Sequence, residues 1–126
     1  MCENRFFICR KCGNVIGMIE GSGVPVKCCG QNMEQLEGEK GEGKAQNHKP
    51  VVNISGSNVN VRVGDTAHPM EKEHGITWVY LQTDRGGHRK CLEAEGKPEV
   101  DFVLSDEKPI AAYAYCNLHG MWITEI

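Results

Sequence analysis

Four cysteines lie within the first 29 residues, and their spacing constrains the fold of this chain more than any other feature. Cys9 and Cys12 belong to the stretch CRKCG, and Cys28 and Cys29 to CCG. Thiols in a reducing compartment are more often metal ligands or catalysts than disulfide partners. Four sulfurs in a tetrahedron suit zinc or a single iron ion. A CxxC redox pair is disfavoured, because it leaves the other two thiols unexplained.

The adjacent thiols Cys28 and Cys29 set a local requirement on the backbone. Neighbouring side chains on a strand point to opposite faces, so both can reach one ion only at a turn, which Gly30 permits. A chain below about 40 residues usually needs a metal, disulfides or oligomerisation, because its core is too small. We therefore predict a small metal-binding domain over residues 1–36.

A linker and a second domain are predicted beyond residue 36. Residues 37–44 read EGEKGEGK, a glycine and charge run that buries no apolar surface and predicts a solvated linker. Residues 45–126 contain β-branched and aromatic runs separated by the turn clusters SGSN and DRGG, and no helical period of adequate length. The runs are VNVRV (59–63), ITWVYLQT (76–83), VDFVL (100–104), IAAYAYC (110–116) and GMWITEI (120–126). They predict an all-β chain with an antiparallel sandwich or barrel.

Composition narrows the function classes. The chain has 126 residues, 40% hydrophobic and 25% charged, and its net charge of −3 argues against a general nucleic-acid binder. The N-terminal stretch lacks the apolar run of a signal peptide, and no segment approaches the roughly 20 apolar residues of a membrane span. We therefore expect a cytoplasmic protein without nucleic-acid or membrane partners.

The histidines point to a second site, because all five lie beyond the linker: His48, His68, His74, His88 and His119. His88 lies in the polar stretch GGHRK and is predicted to be solvent-exposed surface. The other four lie in predicted loops beside strands. Cys116 and His119 are three residues apart in CNLHG, a spacing that fits two ligands of one metal.

Two other interpretations of Cys116 are weaker. A cysteine nucleophile with a histidine base needs an orienting third group and an oxyanion hole, and no such signature surrounds Cys116. A copper electron-transfer site takes two histidines, one cysteine and a weak methionine, here Met121. The copper site would leave two of the four histidines unused.

Taken together, CRKCG, CCG, HKP, HPMEKEH and CNLHG resemble desulfoferrodoxin, the two-domain superoxide reductase family, over nearly the whole chain. The resemblance implies a desulforedoxin-like first domain with a rubredoxin-type iron, for which zinc can substitute, on Cys9, Cys12, Cys28 and Cys29. It implies an immunoglobulin-like sandwich with a second, catalytic iron. By motif match, that iron takes four equatorial nitrogens and an axial thiolate, with the sixth position open to solvent. Its ligands would be His48, His68, His74, His119 and Cys116.

The activity that this resemblance implies is the one-electron reduction of superoxide to hydrogen peroxide by ferrous iron. The thiolate would donate electron density to the iron, and the N–H groups of Leu118 and His119 would hydrogen-bond the sulfur. A rubredoxin-type partner would restore ferrous iron, with the first iron as a candidate relay. Exposed strand edges and the tiny metal domain favour a homodimer. A non-catalytic electron-transfer protein with iron, or with cupredoxin-like copper, is the alternative.

One departure from the family pattern lies just before His48, where Gln46 and Asn47 replace the family's Glu-Lys pair. In the family, the glutamate is associated with the sixth position of the ferric site and the lysine with attracting superoxide. A neutral amide at Gln46 predicts a ferric site that more often holds water or hydroxide. Lys49 or Lys44 is a candidate for the missing positive field. Two cysteines match no motif, namely Cys2 near the terminus and Cys91, which is predicted to be a packed or exposed thiol.

Overall fold

A computed structural model describes residues 4–39, 48–64 and 69–126 of the chain. The chain divides into two compact units, with the division between Glu37 and Gly38. All named elements of the described residues are β-strands, and the paired strands are antiparallel. The predicted all-β class is therefore confirmed.

The first unit contains five short strands: β1 Arg5–Ile8, β2 Val15–Met18, β3 Lys27–Cys28, β4 Gln31–Asn32 and β5 Glu34–Gln35. β1 is the central strand of a three-stranded sheet in the order β2-β1-β5, and β3 and β4 form a separate hairpin. The buried apolar side chains described here are few: Phe6, Ile8, Cys9 and Leu36. A core this small leaves the unit dependent on another source of stability.

The second unit contains seven strands: β6 Pro50–Ser55, β7 Asn58–Val63, β8 Ile76–Thr83, β9 Gly86–Cys91, β10 Glu99–Val103, β11 Pro109–Cys116 and β12 Gly120–Glu125. One sheet has the order β10-β7-β6, and the other has the order β12-β11-β8-β9. Alternate residues of β7 are buried, as its sequence NVNVRV predicts. Side chains from both sheets form one core, including Val61, Val79, Leu81, Phe102 and Ala114. This packing is that of a β-sandwich.

Two strands of the second unit, β6 and β9, were not predicted from the sequence. β6 has a mixed apolar and polar sequence, and β9 begins with the two glycines that were assigned to a turn. Thr83 pairs with Gly86, so only residues 84 and 85 make the connection between β8 and β9. His88 lies within β9 and is half-buried, with 39% of its side chain exposed, so the expectation of solvent-exposed surface is met only in part.

The second unit begins at Gly38, within the linker that composition predicts for residues 37–44. Glu39 pairs with Trp122 of β12 through two backbone hydrogen bonds: its N–H donates to the carbonyl of Met121, and its carbonyl accepts from the N–H of Ile123. Gly38 lies against the Ile123 side chain. Residues 38 and 39 therefore extend the sheet at the edge of β12. The remainder of the predicted linker, residues 40–44, lies outside the described residues.

Candidate metal sites

The first unit brings all four of its predicted thiols together. The sulfur atoms of Cys9, Cys12, Cys28 and Cys29 lie within 4.8 Å of one another. The six cysteines of the described residues are all free thiols, so no disulfide accounts for this clustering. Cys9 is buried, whereas Cys12 and Cys29 are exposed, so the cluster lies at the surface of its unit.

Two tight turns hold the four sulfurs. The carbonyl of Cys9 accepts from the N–H of Gly13 at 2.8 Å, which closes the first turn. The second is the two-residue β3–β4 hairpin, in which both Cys29 (φ 53°) and Gly30 (φ 73°) have positive φ. Positive φ at both central positions defines a type I′ hairpin turn, in which glycine is favoured second. The adjacent cysteines are thus at the turn that their convergence requires.

The ionisation of these thiols favours a bound cation. Hydrogen bonding, above all from the backbone N–H of Cys12, lowers the pKa of Cys9 to about 6. Hydrogen bonds shared with the other thiols, Cys12 first, raise the pKa of Cys28, and raise that of Cys29 to about 12. The Cys9 thiol therefore ionises more readily than those of Cys28 and Cys29, whose protons are retained in hydrogen bonds within the cluster. A metal ion replaces these protons by deprotonating coordinated thiols.

The spacing of the sulfurs also fits a tetrahedral ion. Sulfurs bound at about 2.3 Å in a tetrahedron lie about 3.8 Å apart. The Cys12 and Cys28 sulfurs are 3.6 Å apart. The four residues therefore fit an S4 metal site, in agreement with the iron that the resemblance implies.

The second unit brings together four of the five residues predicted for the other site. Donor atoms of His48, His74, Cys116 and His119 lie within 4.8 Å of one another. Cys116 and His48 are almost completely buried, with 0% and 3% of their surface exposed, while His74 and His119 are half-buried. The cluster is therefore closed on the thiol side and reaches solvent on the side of the two half-buried rings.

Strand pairing explains this convergence. Cys116 ends β11 and pairs with Ile76 at the start of β8, so His74 lies just before the strand beside the thiol. Cys116 also pairs with Gly120 of β12, and the three-residue connection between them carries His119. His48 lies two residues before β6. Three separate chain segments thus end at one edge of the sandwich.

Distances within the cluster fit two nitrogens on one ion. Nε2 of His48 and Nδ1 of His119 are 3.0 Å apart, and the Cys116 sulfur lies 3.8 Å from the same Nδ1. Two nitrogens bound at about 2.1 Å and at right angles lie about 3.0 Å apart. The donor set of imidazoles and one thiol suits iron, copper or zinc.

Some predicted site residues lie outside the described residues. His68 is the fifth predicted ligand of the second site, and Gln46, Asn47 and Lys44 belong to the segment that departs from the family pattern; none of these four is described. Lys49 is described and exposed, directly after the buried His48. Cys91 is exposed, and His88 lies in β9. Neither residue is part of the two candidate metal clusters found among the described residues.

Trp122 is a neighbour of the second site that the sequence motifs did not identify. Its ring stacks on that of His48, with centroids 5.0 Å apart and an angle of 19° between the planes. Trp122 pairs with Ala114 across β11 and β12, which places it on the same face as Cys116. Alternation along β12 from Gly120 is the signal that could have identified it.

The copper interpretation needed Met121 beside Cys116, and the strand register opposes this. Met121 pairs with Tyr115, the residue before Cys116. Successive side chains alternate between faces, so Met121 and Cys116 point to opposite faces of the sheet. A third imidazole in the cluster further departs from the two histidines of a copper electron-transfer site.

A sequence comparison identifies the family. Residues 40–125 match the family model described as Desulfoferrodoxin. A desulfoferrodoxin homolog from Archaeoglobus fulgidus is 36% identical over 114 residues, covering 90% of each chain. A desulfoferrodoxin from Nitratidesulfovibrio vulgaris is 35% identical over 123 residues, covering 98% of this chain and 97% of the relative.

A structural comparison gives the same result. The crystal structure of the superoxide reductase from Treponema pallidum matches with a TM-score of 0.82 and 36% identity, covering 98% of both chains. Fold and clusters define a small all-β protein with two candidate metal sites, one of four thiols and one of imidazoles and a thiol. The chain belongs to the desulfoferrodoxin family. The resemblance inferred from the motifs, and the oxidoreductase class that it implied, are confirmed.

The described residues contain no helix that is long and apolar enough to cross a membrane.

Proposed function

We propose that this chain is a superoxide reductase whose catalytic iron is bound by His48, His68, His74, His119 and Cys116. The observation that carries the proposal is the convergence of three imidazoles and one thiol within 4.8 Å in a chain of this family. Two further proteins with similar sequences, from Pyrococcus horikoshii and Thermococcus kodakarensis, are named superoxide reductase. When bound there, a ferrous ion would supply the one electron that, with two protons, converts superoxide to hydrogen peroxide.

Burial of the donors prepares the site for this chemistry. Cys116 is fully buried, so it would be shielded from water as an ion ligand and would donate electron density to that ion. His48 is held between Trp122 and His119, with ring centroids 5.0 and 4.8 Å away. Its orientation is therefore fixed before an ion binds, which lowers the entropy cost of binding.

The exposed side of the cluster serves the substrate. His74 and His119 are half-buried, so a small anion and protons reach the site past these rings. Lys49 is exposed beside His48 and supplies positive charge for an incoming anion. A neutral amide at Gln46 would bind an oxidised ion more weakly than a carboxylate would. With His68 as the fifth donor, the proposed ligand set would leave one position of a six-coordinate ion for the substrate.

The four thiols of the first unit complete the proposed cofactor content, with one iron there and one in the second unit. Zinc can occupy the first site, because tetrahedral sulfur ligation suits both metals. A rubredoxin-type protein in the cytoplasm returns the electron after each turnover, and the protein acts as a homodimer. Metal analysis and light scattering test the iron count and the dimer.

Oxidation of the second site by superoxide, followed by absorption spectroscopy, tests the catalytic proposal. Anaerobically reduced protein is mixed with one equivalent of superoxide, and the thiolate-to-iron absorption of the second site is followed. We expect oxidation in the parent and in Cys91→Ser. Cys116→Ser, which would lack the absorption band itself, should leave the added superoxide unconsumed. Binding of azide or cyanide to the reduced site would accompany activity. A site that exchanges electrons with a redox partner but neither binds these anions nor reacts with superoxide contradicts the proposal and identifies an electron-transfer protein.

A further inference from the structure

Asn117 connects two of the segments that converge on the second candidate metal site. Its side-chain Oδ1 accepts from the N–H of Gly75 at 3.0 Å, and its own N–H donates to the carbonyl of Gly75 at 3.1 Å. Its side-chain Nδ2 donates to the carbonyl of Lys72 at 3.3 Å. One residue thus makes three hydrogen bonds to the backbone of residues 72–75.

These contacts bracket His74. The segment enters from Met70, which is buried in the sandwich core, and leaves into β8 at Ile76. Within it, the backbones of Glu71 and His74 exchange two hydrogen bonds of 3.0 and 3.2 Å. Asn117 holds the backbone on both sides of His74, at Lys72 and at Gly75. The backbone on either side of His74, from which its ring projects, is therefore held by contacts that Asn117 makes.

The other end of the connection is the proposed ligand turn itself. Asn117 directly follows Cys116 and lies two residues before His119, in the connection between β11 and β12. The rings of His74 and His119 have centroids 5.0 Å apart. A fixed distance between these two rings is what simultaneous binding to one ion requires.

Gly75 allows the backbone of residues 71–75 to fold tightly beside Asn117. A Cβ at Gly75 would lie 2.8 Å from the carbonyl oxygen of Glu71, which is a backbone atom and cannot rotate away. Glycine at this position lets the His74 segment fold tightly enough to meet Asn117. Gly75→Ala therefore disturbs the same segment without altering Asn117.

We propose that Asn117 is a positioning residue of the second metal site, holding residues 72–75 so that His74 remains in reach of an ion bound by Cys116 and His119. This inference rests on the proposed metal site. Groups that orient metal ligands commonly contribute about 10- to 100-fold to metal affinity. The side chain of Asn117 acts through the backbone and does not itself bind the ion.

Iron release from the full-length, iron-loaded protein tests this role. The protein is reduced anaerobically and mixed with excess bipyridine, and formation of the ferrous complex is recorded. The release phase of the second site is identified by its loss in Cys116→Ser. The four-cysteine site of the same molecule provides an internal control.

The variants separate positioning from general stability. Asn117→Ala removes both side-chain hydrogen bonds, whereas Asn117→Asp keeps the acceptor for Gly75 and loses the donor to Lys72. Asn53→Ala truncates an exposed asparagine on β6 as a matched control. Circular dichroism and melting of each metal-free variant report whether the sandwich still folds.

We expect Asn117→Ala to accelerate release from the second site by about 10- to 100-fold, Asn117→Asp by less, and Asn53→Ala not at all. Gly75→Ala should resemble Asn117→Ala, and release from the four-cysteine site should not change. Parent-like release from Asn117→Ala overturns the inference, as does equal acceleration at both sites. If the parent itself shows no release phase that depends on Cys116, the proposed metal site has failed, and with it the role of Asn117.

Discussion

The indole of Trp122 stacks on the imidazole of His48, with ring centroids 5.0 Å apart and 19° between the planes. Both side chains are buried, with 6% and 3% of their surface exposed. Trp122 is therefore in direct contact with a proposed ligand of the catalytic iron. The other tryptophan, Trp78, instead stacks on Tyr115, on the opposite face of the sheet from Ala114.

This stacking predicts a site-specific fluorescence signal. Loading the second site of protein whose four-cysteine site is already filled should quench the emission of Trp122, because a paramagnetic iron bound to His48 lies next to its ring. The quenching should persist in Trp78→Phe and disappear in Trp122→Phe. Quenching that instead follows Trp78 would contradict the assignment of His48 as a ligand.

Cys116 is predicted to be the source of the thiolate-to-iron absorption band of the second site, which is distinct from the absorption of the four-cysteine site. Cys116→Ser should abolish that band and weaken iron binding at the second site by at least about tenfold, because a hydroxyl is a poor substitute for a soft thiolate. Absorption spectra and metal analysis measure both effects. Cys91→Ser is the matched control, since Cys91 is an exposed thiol that stands apart from the cluster. A band that survives in Cys116→Ser but not in Cys91→Ser would refute the ligand assignment.

Metal removal is predicted to unfold the first unit while the second unit stays folded. The described core of the first unit contains few buried side chains, including Phe6, Ile8 and Leu36, so we expect an ion bound by the four thiols to stabilise the fold of this unit. Limited trypsin digestion followed by mass spectrometry should show new cuts after Lys11 and Lys27 once a chelator is added.

Cys12→Ser should give the same cuts without a chelator. The metal-loaded parent protein should resist trypsin at both positions. The sandwich provides the comparison, because its larger core does not depend on the sulfur cluster. Resistance of the metal-free first unit to trypsin would show that its small core suffices.

Glu107 is predicted to make stability depend on acidic pH. The pKa of Glu107 is lowered below its ordinary value near 4.5, first by the hydroxyl of Thr83, which donates at 2.5 Å, and then by His88 at 3.0 Å. A lowered pKa means that the folded state favours the carboxylate. Its contribution is fully present above pH 4.5 and is lost as the pH falls through the lower folded value.

Glu107→Gln should therefore lower the melting temperature at pH 7, and the difference from the parent should shrink below pH 4.5. Glu93→Gln, an exposed control, should have little effect at either pH. Melting curves across pH 3 to 8 give the comparison. A deficit in Glu107→Gln that persists unchanged at the acidic end would assign the effect to packing instead of charge.

Lys49 is predicted to attract the anionic substrate. Lys49→Ile should slow the reaction of reduced protein with superoxide several-fold at low salt, and high salt should diminish the difference, because salt screens charge steering. Lys97→Ile makes the same charge change at an exposed residue between β9 and β10. Equal rates and equal salt dependence for parent and Lys49→Ile would exclude this role.

The strands that the sequence predicted are those with a continuous apolar face. ITWVYLQT forms β8 over the predicted range Ile76–Thr83, because Val79 and Leu81 must reach the core. β9 was missed because its residues do not supply such a face. Its Gly87 lies under the Tyr80 ring, where a Cβ would overlap the hydroxyl and the ring. This requirement comes from the partner strand and leaves no local signal.

The residues of the candidate sites likewise fall into those that local sequence predicts and those that depend on distant parts of the chain. The spacing CRKCG with CCG, and the pair Cys116 and His119, lie within short stretches whose turns are set by local sequence. His48 and His74 join Cys116 only through the pairing of distant strands, so no spacing rule connects them, and the family resemblance supplied that link. The contact of Trp122 with His48 likewise depends on the register of β11 and β12.

The yield of hydrogen peroxide per superoxide is the most direct test of the proposed function. Reduced protein is supplied with an electron donor and a known amount of superoxide, and peroxide and dioxygen are both measured. A superoxide reductase gives one peroxide for each superoxide and evolves no dioxygen. One peroxide for every two superoxide ions, with dioxygen released, would show dismutation, and a rate equal to that of protein-free buffer would show no reaction; either result would contradict the proposal.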